Sequence, residues 1–78
     1  MNESEIRTLA AEALAGIAPE ADLASVGDDE DLREALDLDS MDFLNLVIAL
    51  SKKTGRNIPE ADTARLVTLR GLVAYLRG

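Results

Sequence analysis

The chain has 78 residues and contains neither cysteine nor histidine, which excludes disulfides, thiolate nucleophiles, histidine bases and the usual zinc sites. A domain of this size buries only about 60% of the surface its unfolded chain exposes and has no room for a deep catalytic cleft, so residues 1–78 read as one surface-presenting module. The net charge is −7, and residues 20 to 42 hold ten acids against Arg33 alone, a net of −9 that leaves +2 for the remainder; this speaks against nucleic acid as a partner and for basic patches on other proteins.

No segment reaches the roughly 18 continuous apolar residues of a membrane span. The opening Met1-Asn2-Glu3-Ser4-Glu5 is acidic where a secretory signal is basic, so the cytoplasm is the expected compartment.

Asn2 followed by Glu5 reads as a capping box, and Ile6, Leu9, Ala10, Ala13, Leu14 and Ile17 recur at helical spacing. The pattern predicts a first helix over residues 3 to about 16, ended by Gly16 and Pro19. A long connection follows from Ala18 to Leu38 with no sustained period. Its apolar residues Leu23, Val26, Leu32, Leu36 and Leu38 read as tacks onto the core, and Asp31 to Leu36 can form a helical turn.

The second helix is expected from Ser40 to about Thr54. Asp39 is a good N-cap, and Lys52, Lys53 and Gly55 form the expected stop. Two apolar stripes run along it. Phe43, Leu46, Val47 and Leu50 follow the spacing of a core face, and Met41, Leu44 and Ile48 form a second line. Both stripes are hard to bury in so short a chain, so the second reads as a partner surface.

Ile58-Pro59-Glu60 starts a short third helix, with Pro59 in its first turn and an end near Arg65 or Leu66. Thr68 caps a fourth helix whose apolar face is Leu69, Leu72, Val73 and Leu76. Gly71 inside it costs up to about 1 kcal/mol relative to alanine unless close packing requires it. The fold class is all-α: a monomeric four-helix bundle with a long first loop and a short third helix.

Ser40 is the residue with chemical promise. As the first helical residue its hydroxyl points off an end where free N–H groups and the macrodipole favour a phosphate. It has no histidine to activate it, and Lys52 and Lys53 lie about 18 Å down the same helix, so another enzyme must act on it. A calcium loop starting at Asp29 fails its register, with Arg33 fifth, Glu34 sixth and Ser40 twelfth. That leaves weak divalent-cation binding by Asp28, Asp29 and Asp31 as the most the acidic loop offers. No catalytic residue and no dedicated metal site is expected.

Residues 38 to 50 resemble the prosthetic-group segment of acyl carrier proteins, in which an Asp-Ser-Leu-like triplet opens the second helix. Here the triplet is Asp39-Ser40-Met41. The resemblance extends through Leu46-Val47-Ile48-Ala49-Leu50, the Gly55 to Pro59 connection and the final helix with Tyr75, and so covers nearly the whole chain. It implies that Ser40 bears 4′-phosphopantetheine, transferred from coenzyme A by a phosphopantetheinyl transferase, and that the arm's thiol carries acyl groups as thioesters between enzymes. It also implies that Asp39 sits near the transferase's metal-phosphate chemistry. Met41, Leu44 and Ile48 then face partners, an acyl ligase or acyltransferase among them, with Asp42 pairing to their basic patches. Phe43, Leu46 and Val47 line a core that can admit an acyl chain, or are ordinary packing residues.

The chain departs from the common fatty-acid carriers in three respects. Asn45, Ser51, Lys52 and Lys53 replace a run of glutamates, Asp37 stands where glycine is frequent, and Phe43 is bulkier than usual. These differences point to a specialised carrier. The competing readings are an aminoacyl or peptidyl carrier, although Asp37-Leu38 lacks the usual Gly-Gly, and a cofactor-free helical interaction domain.

Overall fold

The structure, a computed structural model, describes residues 1–77; Gly78, the last residue of the expected domain, lies outside the described residues. Helix α1 spans Glu3–Ala15. Its start is a full capping box, with Asn2 Oδ1 accepting from the Glu5 N–H at 2.8 Å and Glu5 Oε1 accepting from the Asn2 N–H at 3.4 Å. Ile6, Ala10, Ala13 and Leu14 are buried as the periodicity predicts, and Ile17 is partly buried against the same core. The helix stops at Gly16 as expected, but without a left-handed turn. Gly16 keeps a right-handed φ of −83°, and the helix tapers instead through Ile17 and Ala18 N–H groups that both donate to the Leu14 carbonyl.

The long connection is tied down along its length. A 3-10 turn, Leu23–Ser25, opens with Asp22 accepting from the Ala24 N–H at 3.1 Å, and the turn buries Leu23 and Val26. The following residues are fastened to both neighbouring helices. Arg7 donates to Asp28 at 3.0 Å, and Arg70 Nε donates to Asp29 at 2.6 Å. The Arg70 N–H reaches the Asp28 carbonyl and the Leu32 N–H reaches the Val67 carbonyl. Asp31 then caps a short helix α2, Leu32–Ala35, in which Leu32 is completely buried.

Helix α3 spans Ser40–Thr54 and buries Phe43, Leu46, Val47 and Leu50. It stops at Gly55, whose φ of +71° is the left-handed turn that glycine allows. The third element of the bundle is a 3-10 helix, Glu60–Leu66, and Pro59 precedes it as an extended N-cap (ψ 152°), not as a residue of its first turn. The physical reason is that only Leu66 of this segment is buried, so no apolar stripe of helical period demands an α-helix.

Helix α4 spans Leu69–Arg77 and buries Leu69, Leu72, Val73 and Leu76. Thr68 Oγ1 accepts from the Gly71 N–H at 3.0 Å, the expected cap. A Cβ on Gly71 would collide with the Arg65 carbonyl oxygen, so the glycine is the close-packing exception. Helices α1, α3 and α4 and the 3-10 helix form a four-element bundle around one core, with α2 an added turn that feeds α3. Among the described residues no helix is long and apolar enough to cross a membrane.

Candidate functional site

The backbone before α3 explains how Ser40 comes to the surface. Helix α2 closes with two crossed bonds, from the Asp37 N–H to the Glu34 carbonyl at 3.4 Å and from the Leu38 N–H to the Arg33 carbonyl at 2.8 Å. Such a closure needs a left-handed residue between helix and anchor, and Asp37 supplies it with a φ of +54°. The reversal buries Leu38. Asp39, extended at ψ 179°, then caps α3 by accepting from the Asp42 N–H at 2.8 Å.

Ser40 follows as the first helical residue and is exposed. The bonds at this helix start run to Asp39, from the Asp42 and Phe43 N–H groups. They leave the Ser40 hydroxyl and the Ser40 and Met41 N–H groups without a partner among the described residues.

The remaining residues singled out from the sequence separate by face. Met41, Leu44 and Ile48 are 62%, 42% and 44% exposed, so they do not pack under the long loop. Asp42 is half-buried. Leu44, Val47, Ile48, Ser51 and Lys52 line one side of a groove of about 390 Å³ against Ile58, Glu60 and Thr63. Of the three residues considered for an acyl-receiving core, Val47 borders this groove, whereas Phe43 and Leu46 are packed in the interior.

The acidic stretch does two different jobs. Asp28 and Asp29 are paired with Arg7 of α1 and Arg70 of α4 and clamp the loop, Asp31 pairs locally with Arg33, and the three do not converge on a cation. Among the described residues no three acidic groups converge to hold a metal. Hydrogen bonding to the Arg33 guanidinium pulls the Asp31 carboxyl down to about 2, and Arg70 lowers Asp29 in the same way.

Two arginines, Arg33 ahead of the start of α3 and Arg56 beyond its stop, make contacts that gave no sequence signal. The Arg33 guanidinium stands 5.7 Å above the Phe43 ring. Arg56 donates to the Tyr75 and Leu76 carbonyls at 3.2 and 3.0 Å, closing the end of α4. Both contacts depend on the tertiary fold, which periodicity does not encode.

The family model described as the phosphopantetheine attachment site matches residues 4–76. The chain belongs to the acyl carrier protein family. An acyl carrier protein of Campylobacter hominis is 35% identical over 72 residues, covering 92% of this chain and 85% of that protein. The polyketide-8 synthase acyl carrier protein 2 of Streptomyces avermitilis is 32% identical over 76 residues, covering 97% and 82%. The carrier's cofactor is 4′-phosphopantetheine, and the chain's side chains fit such a group. They include an exposed, unbonded serine hydroxyl at a helix start with two free N–H groups beside it.

Proposed function

We propose that Ser40 is the attachment point of the arm and that the carrier moves acyl thioesters between enzymes that dock on α3. The observation that carries this reading is the exposed Ser40 hydroxyl, free of hydrogen bonds at the start of α3. When bound, the arm supplies the thiol that a chain without cysteine lacks. The chain's own part is mechanical and electrostatic. Leu38 and the Asp39 cap hold the serine at a fixed point, the free N–H groups favour the phosphate that arrives with the arm, and Asp39 stands beside the metal-phosphate chemistry of the transferase. The carrier is itself no catalyst; it is a substrate of the transferase and of acyl-loading enzymes.

Asn45, Lys52 and Lys53 make this α3 less acidic than an all-glutamate docking helix, which supports a dedicated acyl pathway over general fatty-acid synthesis. The reading also places the carrier in the cytoplasm as a monomer.

The test is intact mass after incubation with coenzyme A, magnesium and a broad-specificity phosphopantetheinyl transferase. The native protein gains one arm. Ser40→Ala gains none and melts within about 2 °C of the native protein, because an exposed first-turn serine makes little contribution to stability. An unmodified native protein with a folded circular-dichroism spectrum would instead support a cofactor-free interaction domain.

A further inference from the structure

Arm attachment uses only one end of α3. The rest of its exposed side has features that attachment does not explain. Met41, Leu44 and Ile48 form an exposed apolar line, and Lys52, four residues beyond Ile48, continues it on the same face. Leu44, Ile48 and Lys52 border the same groove.

The line starts among the carboxylates of Asp37, Asp39 and Asp42 and ends in a cation. Asp42 and Lys52 are about 15 Å apart along the helix. Ion pairs among the described residues join Arg7 to Glu3 and Asp28, Arg33 to Asp31, and Arg70 to Asp29. Asp37, Asp42 and Lys52 take part in none of them, although Glu60 borders the groove beside Lys52.

Building on the carrier reading above, we propose that this strip docks an acyl-processing enzyme whose own surface is bipolar. That enzyme presents an apolar trough with a basic side chain beside the point that receives Ser40 and an acidic side chain about 15 Å further along, facing Lys52. Opposite charges at the two ends of an apolar strip define a direction. A partner docked the other way round sets Lys52 against the base and the aspartates against the acid, and such like-charge contacts are strongly disfavoured. Only the favoured direction brings Ser40 to the reaction centre. Met41, unbranched and 62% exposed, supplies apolar area that adapts to the trough.

Acids at the start of a helix and lysines at its end also complement the macrodipole. Lys53 does so as well as Lys52, but it lies about 100° round the helix, where it borders Met1, Glu5 and Leu9 of the α1 side. The two lysines therefore separate docking from dipole.

The experiment arms the carrier first, verified by intact mass, and then measures kcat/KM with the condensing and acyl-loading enzymes of the organism that encodes this chain. Native carrier, Lys52→Glu and Lys53→Glu are compared, each shown by melting to be folded. With the enzyme that accepts the native carrier best, Lys52→Glu is expected to lose about tenfold and Lys53→Glu to stay within twofold. Replacing the facing acid of that enzyme by lysine is expected to restore Lys52→Glu, and added salt to shrink the native advantage. Equal losses for the two lysines, no loss for Lys52→Glu, or no enzyme of the panel accepting the armed carrier each overturn the proposal. Failure of the arming step is read in the mass spectrum and overturns the carrier reading itself.

Discussion

Asp37 is the one described residue other than glycine with a positive φ, at +54°, and it lies three positions before Ser40. The left-handed region is costly for side chains with a Cβ, and aspartate tolerates it better than most. Glycine removes the conflict between Cβ and backbone while keeping both closure bonds of α2, so Asp37→Gly is expected to stabilise the carrier by up to about 1 kcal/mol. Denaturant unfolding checks this, and arming of Ser40 should proceed unchanged because Leu38 and Asp39 keep their places. A loss of stability would show that the Asp37 carboxylate contributes more than the strain costs. Asp37→Val, β-branched, is expected to lose about 1–2 kcal/mol at the same position.

At the scale of elements, two glycines, one at the stop of α1 and one inside α4, behave differently. Gly16 ends α1 with a right-handed φ of −83°, and the nearest atom to an added Cβ is the Ala13 carbonyl oxygen at 3.7 Å, an ordinary contact. Gly16→Ala is therefore expected to stabilise by about 0.4–1 kcal/mol through the unfolded chain's lost freedom. Gly71 lies where α4 presses on the 3-10 helix, and a Cβ there would collide with the Arg65 carbonyl. Gly71→Ala is expected to cost about 1–3 kcal/mol as overpacking and to loosen the 3-10 helix before the rest, visible as faster amide exchange over residues 60–66. Equal effects of the two substitutions would contradict the close approach.

The same contrast shows what a sequence can convey. Ile6, Ala10 and Leu14, or Leu69, Leu72 and Leu76, announce their burial because the periodicity that places them is local. The Asp39 cap and Ser40 at the head of α3 are legible for the same reason, as is the second apolar line of Met41, Leu44 and Ile48. The 3-10 form of residues 60–66 is not, because a segment with Leu66 as its one buried residue carries no apolar period to read, and its further anchors, such as the Tyr75 hydroxyl donating to Asp62 at 2.8 Å, are tertiary. The division of the acids into clamps and free carboxylates is equally hidden. Asp29 looks like Asp42 until Arg70, 41 positions away in the chain, closes on it.

For the molecule as a whole, those clamps set the pH response. With no histidine in the chain, no side chain of ordinary pKa titrates between about pH 5 and 9, so stability should be nearly flat across that range. On the acid side, Asp31 is held at about 2 by Arg33 and Asp29 is lowered by Arg70. Both sit below their unfolded value of 3.8, so their contribution is present above that value and is lost as pH falls through the lowered folded value, about 2 for Asp31. On the alkaline side the Tyr75 phenol is raised above 10.0 by its hydrogen bond to Asp62, so its contribution is complete below pH 10 and disappears above it. Melting temperatures followed by circular dichroism should trace a plateau with two falling limbs. Tyr75→Phe should remove the tyrosine part of the alkaline limb and leave the acid limb unchanged, and Arg70→Gln should do the reverse, weakening the acid limb alone. The Asp29 and Arg70 side chains are 77% and 65% exposed, so salt should flatten the acid limb. Because the Tyr75 bond is neutral on its donor side and half-buried, the same salt should barely touch the alkaline limb; a salt response of equal size on both sides would mean that net charge, not these particular contacts, governs unfolding.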